Sequence, residues 1–346
     1  MSLQKALDRF LPLIEAELQE VVQTSYRSLE PYYGMMRYHL GWTDENLRPV
    51  RASGGKRLRP VLCLLCCEAA GGDPWQALPI AAALELVHNF SLVHDDIQDG
   101  SRYRRGRRTV WDVWGVAHGV NVGDGLFVLA RLALDRMVGR DIPPARCQAA
   151  TWIFDRACLA LCEGQFFDMA FEDCPNVDLN QYLDMIQRKT ANLFAASTSL
   201  GAMVATDDRK LLEGYSRFGE YLGMAFQIQD DILGIWGDER VTGKSAAIDV
   251  RDRKKTLPVV YALNHAEQRD WAQQLAKLYA RPGPLDETSI RAVLDILDRL
   301  DARQYTEEMA EQYYQQALQS LEQVPMAYEV QSQLYELAAS LVGRKT

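Results

Sequence analysis

The chain has 346 residues, enough for one large domain or two ordinary ones. Hydrophobic residues make up 48% and charged residues 25%, the balance of a folded globular protein, and a net charge of −9 argues against a general nucleic-acid binder. A small anionic substrate stays possible, because a local cluster of Arg and Lys sets the sign of the field inside a cleft.

Helical periodicity runs through the sequence, and few stretches alternate with period two. The first amphipathic pattern covers 3–29. Its Lys5, Asp8 and Arg9 stand where a signal peptide would have its apolar core, so no such peptide is predicted. The longest apolar runs, 61–67 and 126–134, fall short of the roughly 20 residues of a membrane helix.

Next comes Gly54-Gly55-Lys56-Arg57-Leu58-Arg59-Pro60. A glycine pair before basic residues allows the backbone to approach an anion closely, though a turn with solvated charges has the same composition. The helical pattern 61–70 carries Cys63, Cys66 and Cys67. Cys63-x-x-Cys66 has no second Cys pair or His at zinc spacing, so all seven cysteines read as reduced thiols of a cytosolic protein.

Gly71-Gly72-Asp73-Pro74 breaks the chain before a pattern over 77–97, nearly continuously apolar from 80 to 93. It runs into His94-Asp95-Asp96-Ile97-Gln98-Asp99. On a helix, Asp95 and Asp99 are one turn apart, about 6 Å, on a shared face. Carboxylates so placed repel unless a hard cation sits between them, and Mg2+ is commonly held by one or two carboxylates plus substrate phosphates. Arg102, Arg104, Arg105, Arg107 and Arg108 follow, suited to clamping phosphate or to neutralising the acids.

Helical patterns continue over 122–138, 146–171, 179–205 and 209–233. The last ends in Gln227-Ile228-Gln229-Asp230-Asp231, a second acidic pair after an apolar helix, again followed by cations: Lys244, Arg251, Arg253, Lys254 and Lys255. Facing each other across a bundle, the two clusters would hold several Mg2+ around one diphosphate, whose departure from carbon builds negative charge on oxygen. Patterns over 257–280, 289–300 and 306–341 close the chain. No loop is long enough to be a clear linker, so a single all-α domain over 1–346 is predicted.

Taken in order, Gly-Gly-Lys-Arg-Leu-Arg-Pro, Asp-Asp-x-x-Asp before Arg-Arg-Gly, Lys189-Thr190, Phe-Gln-x-x-Asp-Asp, Gly243-Lys244 and Lys254-Lys255-Thr256-Leu257 resemble the trans-isoprenyl diphosphate synthase family over roughly residues 40–265. The resemblance implies an orthogonal bundle of long helices around a deep central cavity. It implies head-to-tail condensation of isopentenyl diphosphate with an allylic diphosphate, a cytoplasmic homodimer, and three Mg2+ per active site. By the same likeness, Lys56, Arg59, His88 and Arg105 form the isopentenyl diphosphate site. Asp95, Asp99 and Asp230 are the metal ligands, with Asp96 and Asp231 in support. Arg104, Lys189, Thr190, Gln227, Lys244 and Lys254 contact the allylic diphosphate. Read without the family, His88 would be an ordinary structural histidine.

Two positions depart from the pattern. Gly234 stands where the family often has a third Asp, and Arg253 where Gly is common. A terpene cyclase would not need Lys56, Arg59 and Arg105, and a non-catalytic partner subunit would be expected to have lost acidic residues. Product length is read from Phe90 and Ser91, five and four residues before Asp95, about 7.5 and 6 Å along the helix. An aromatic with a small neighbour resembles synthases that stop at C20, so geranylgeranyl diphosphate is expected, with farnesyl diphosphate (C15) as the alternative. A floor supplied by a facing helix near 126–129 would make Phe90 plain core packing.

Overall fold

Loop chemistry places the central helix. Gly71, at φ +84°, ends a helix over Leu58–Ala69, and the Asp73 carboxylate then accepts from the Trp75 N–H at 2.9 Å with Pro74 in the first turn. The helix so started runs Pro74–Gln98. Every residue from Ala77 to Val87 is buried, which is why this stretch shows no amphipathic stripe. By length and composition it could cross a membrane, a capacity the run lengths did not predict, but here 83% of its apolar stretch is buried within the protein.

The computed structural model describes residues 2–237, 247–265, 269–281 and 283–343, and its chain divides into two compact units. The first comprises residues 1–154, 197–212 and 326–334; the second comprises 155–196, 213–325 and 335–346.

In the first unit, α1 (Leu3–Val21) is followed by a 3₁₀ turn at Arg27–Leu29 and by α2 (Glu30–His39). The single helix expected over 3–29 therefore stops early. Thr24 Oγ1 accepts from the Tyr26 N–H at 3.1 Å, a local bond that competes with the helix ladder. Next come α3 (Leu58–Ala69), α4 (Pro74–Gln98), the strands β1 (Tyr103–Arg104) and β2 (Arg107–Arg108), α5 (Val110–Trp114) and α6 (Val116–Asp135). The hairpin was read as a basic loop; Arg105 at φ +53° and Gly106 at φ +73° make its two-residue turn. Helix α6 starts before the predicted 122–138, and its glycines pack closely: a Cβ on Gly119 would press on Ile97, one on Gly123 would strike the His94 ring, and one on Gly125 the Tyr32 hydroxyl. Helices α1, α3 and α6 pack on α4.

Helix α7 (Pro144–Asp173) and helices α8 (Leu179–Ile186), α9 (Asn192–Met203) and α10 (Arg209–Trp236) come next, with a π-helical turn over Gln187–Ala191 joining α8 to α9. Then follow α11 (Ile248–Arg251), α12 (Leu257–Leu263), α13 (Arg269–Tyr279), α14 (Glu287–Arg299), α15 (Ala302–Glu322) and α16 (Tyr328–Val342). The predicted 306–341 helix is two helices, because Pro325 cannot continue the ladder. Within the second unit, Tyr182, Ile186, Met224, Ile228, Leu257 and Val260 form one core cluster. Val259, Leu275, Val293 and Leu297 belong to another.

Candidate active site

In the first unit, the Gly54–Pro60 segment is held by a residue that the sequence reading left without a role. Arg57 sits at φ +51° with 4% of its surface exposed. Its guanidinium donates to Glu15 Oε1 at 2.7 Å, Glu85 Oε1 at 2.8 Å, Gly54 O at 2.9 Å and Leu40 O at 3.3 Å. Glu85, on α4, also accepts from Asn89 Nδ2 at 2.8 Å. A Cβ on Gly54 would collide with Leu40 O, and Gly55 lies against the Arg105 guanidinium at φ +103°, so this glycine pair serves close approach. Arg105, at the hairpin tip, donates back to Gly54 O. Lys56 is exposed, and Arg59 and His88 are half-buried.

Burial, eased only in part by Glu85, brings both Arg59 and Arg105 down to about 10. Burial, then Arg59, Arg105 and Arg104, push His88 well below its ordinary value, so it is a neutral imidazole near pH 7. The structure thus brings Arg59, His88 and Arg105 into one cationic group. The other arginines of the hairpin segment are engaged elsewhere: Arg107 donates to Tyr38 O at 3.0 Å and Thr43 O at 2.6 Å, and Arg108 to Asp112 at 2.6 Å.

The members of the first acidic motif divide. Asp95 is half-buried and Asp99 exposed at the end of α4, one turn apart, with the Asp99 N–H still bonded to Asp95 O at 2.8 Å. Asp96 is 1% exposed and accepts from Arg104 Nε at 2.7 Å. Burial raises Asp96 to about 6 in spite of Arg104.

In the second unit the π turn carries Lys189 and Thr190. Lys189 Nζ donates to Asp168 Oδ2 on α7 at 2.6 Å, and Thr190 Oγ1 to Gln227 Oε1 on α10 at 2.8 Å. A Cβ on Gly164 would strike the Lys189 backbone, so α7 and the turn touch through bare glycine. Burial would raise the Asp168 carboxyl, but Lys189 and Lys254 outweigh it and hold the group below the usual range. Asp231 points inward: it accepts from the Tyr182 hydroxyl, from the Leu257 N–H at 2.8 Å and from Gln227 Nε2 at 3.1 Å. Burial lifts it to about 7 against those bonds. Asp230 is half-buried.

Among the described residues no group of three or more His, Cys, Asp or Glu closes on a common point. Mg2+ takes oxygen ligands from one or two carboxylates and completes its shell with water and substrate phosphate. Asp95 with Asp99, and Asp230, offer such donors.

The sequence profile of the family described as polyprenyl synthetase matches residues 41–297. The chain belongs to that family. It is 40% identical over 294 residues to a geranylgeranyl diphosphate synthase of Mycobacterium tuberculosis, covering 84% of this chain and 82% of that one. It is 38% identical over 314 residues to a (2E,6E)-farnesyl diphosphate synthase of the same organism, covering 90% and 86%. A polyprenyl synthetase crystal structure from Streptomyces coelicolor A3(2) superposes with a TM-score of 0.88 at 34% identity, over 99% of this chain and 100% of the other. The chain is a prenyltransferase of the short-chain type, with the all-α isoprenoid synthase fold, in a family that uses Mg2+.

Glu85, Arg57 and Asp168 are site residues that the sequence motifs do not include. Glu85 had a signal, a carboxylate inside an apolar run, which must find a partner when buried. Asp168 had none, since a lone acid on an amphipathic helix is unremarkable. Lys244 lies outside the described residues.

Because Asp231 anchors three donors and Asp230 is half-exposed, the two should separate in stability. Asp231→Ala should destabilise by about 3 kcal/mol or more, through the buried donors left behind. Asp230→Ala should leave the urea midpoint nearly unchanged; equal losses in the two denaturation curves would contradict the division.

Proposed function

We propose that the enzyme joins isopentenyl diphosphate to an allylic diphosphate and that its main product is geranylgeranyl diphosphate. The observation that carries this reading is the division of the first motif: Asp95 and Asp99 keep exposed surface at the end of α4 while Asp96 is buried on Arg104. Asp95, Asp99 and Asp230 would hold Mg2+, three ions per site, whose charge when bound stabilises the diphosphate as it leaves carbon. Lys189, Thr190, Gln227, Lys254 and Arg104 orient the allylic diphosphate. Lys56, Arg59, His88 and Arg105 hold isopentenyl diphosphate, with neutral His88 able to donate an N–H hydrogen bond to a phosphate oxygen without adding charge. Apolar surroundings keep water from the allylic cation until the isopentenyl double bond attacks it. The proton lost in restoring the double bond leaves with pyrophosphate, so no side chain is required as a strong base.

The reading takes residues 1–346 as one catalytic domain, since neither compact unit is a continuous stretch of chain. It also takes the enzyme as a homodimer. Exposed Val116, Val120, Val128 and Leu132 recur at multiples of four along α6, a stripe a second copy would cover, and a monomer mass in solution would rule this out. Buried Cys63, Cys66 and Cys67, all outside disulfides, support a reducing cytoplasm.

Purified enzyme with Mg2+, isopentenyl diphosphate and allylic primers should yield a prenyl diphosphate, and Asp95→Ala should reduce turnover by orders of magnitude with helicity intact. No product from the wild type, or near-normal turnover of the variant, would overturn the assignment.

Product length rests on Phe90 and Ser91. Phe90 packs on Phe127 of α6 at 5.2 Å between ring centroids and edge-on to His94 at 5.1 Å. Ser91 turns its hydroxyl back to His88 O at 2.9 Å. Farnesyl diphosphate is the second reading, favoured by the likeness to the farnesyl diphosphate synthase. Phe90→Ala should lengthen the main product to C25 or beyond; an unchanged chromatogram would place the floor elsewhere.

A further inference from the structure

The two departures from the family pattern, Gly234 and Arg253, belong to one small assembly in the second unit. Arg253 has φ +57°, a conformation that glycine adopts without hindrance and that a side chain disfavours. Its guanidinium compensates: Nη1 donates to Tyr279 O at 3.0 Å and to Arg281 O, so a charged group grips the end of α13. Four residues earlier, the Asp249 carboxylate lies against the bare backbone of α10 at Gly234, where any Cβ would collide with it. The Asp249 carbonyl in turn accepts from the Lys254 N–H at 2.8 Å. Two further tethers complete the segment, Leu285 N–H to Arg251 O and Leu257 N–H to Asp231 Oδ2, each 2.8 Å.

Lys254 thus sits in a turn fixed on both sides, and its charge acts with that of Lys189 on Asp168. We propose that Arg253 is a positioning residue that presets the Lys254 turn for the allylic diphosphate, and that Gly234 is the space the arrangement needs for Asp249. The inference rests on the reading of Lys254 as a diphosphate contact. A glycine at 253 would hold the same backbone conformation with greater freedom, whereas Arg ties it to two carbonyls. A missing third carboxylate at 234 and a surplus side chain at 253 are then linked features: the first admits Asp249, and the second clamps the other end of the same turn.

The test compares Arg253→Gly, Arg253→Lys and Gly234→Ala in the full-length enzyme. Michaelis constants are measured for each substrate in turn, and binding of inorganic pyrophosphate with Mg2+ is measured by calorimetry. Arg253→Gly relieves the backbone and should fold normally, which circular dichroism checks. It should raise the allylic KM about tenfold and weaken pyrophosphate to match, leaving the isopentenyl diphosphate KM within about twofold, with Arg253→Lys intermediate. Gly234→Ala should move the same constant in the same direction. An allylic KM within about twofold of wild type in Arg253→Gly, or parallel rises in both constants, would overturn the proposal. Absence of product from the wild type would instead sink the functional reading on which it stands.

Discussion

The buried ion pair between Arg57 and Glu85 is the constraint on which the first unit's cationic group depends. Both side chains are about 3% exposed, and burying two charges costs several kcal/mol unless every remaining valence is met. Here much of that cost is offset: Arg57 reaches two carboxylates and two carbonyls, and Glu85 Oε1 takes a further bond from Asn89. A hydrophobic pair could give comparable stability, but it could not hold Gly54 O where Arg105 also finds it. The pair therefore sets geometry more than stability. Glu85 is also the carboxylate that offsets, in part, the crowding of Arg57, Arg59 and Arg105.

The same economy appears in each Asp-Asp pair. Neighbouring residues on a helix point about 100° apart, so one carboxylate can face inward while the other faces out. Asp96 and Asp231 are the inward members, 1% and 5% exposed, and each organises other elements: Asp96 the nearby hairpin through Arg104, Asp231 the distant Tyr182 and the start of α12. Asp95 and Asp230 keep surface. Doubling the aspartate thus separates holding the site together from presenting oxygen donors, and both raised inner carboxyls reflect burial in the first place.

What could be read in the sequence was what is local. The helical pattern over 61–70 and its glycine stop follow from residue types at fixed offsets, although the helix begins three residues earlier and the next starts at Pro74 rather than 77, and the Asp95/Asp99 spacing needs only helical geometry. Helix α2 escaped because Glu30–His39 shows a weak stripe, with Tyr32 bonded to Asn121 O 89 residues away. The hairpin escaped because five arginines obscured a two-residue turn. Asp168 and Tyr182 acquire meaning only from partners at sequence distances of 21 and 49, which no periodicity encodes, and Glu85, conspicuous in an apolar run, leaves its partner 28 residues away unnamed. The departures at 234 and 253 were visible as departures, but their connection through Asp249 was not.

The π turn shows how a short motif can serve two neighbours. In a continuous α-helix Lys189 and Thr190 would follow the register set by α8; a π turn inserts a residue's worth of rotation and widens the backbone, a geometry frequent at functional positions. Here it lets adjacent side chains diverge, Lys189 to Asp168 on α7 and Thr190 to Gln227 on α10. Gln227 passes the contact on to Asp231, and Asp231 to the first N–H of α12, directly after the Lys254–Thr256 turn. One hydrogen-bonded path therefore joins the turn bearing Lys189 to the turn bearing Lys254. Since Asp168 feels both cations, a shift of either lysine changes the charge balance at the same carboxylate. Rigidity at this place is electrostatic as well as steric: Gly164 lets the Lys189 backbone approach α7, and the carboxylate between the two lysines lets like charges remain close without driving the turns apart.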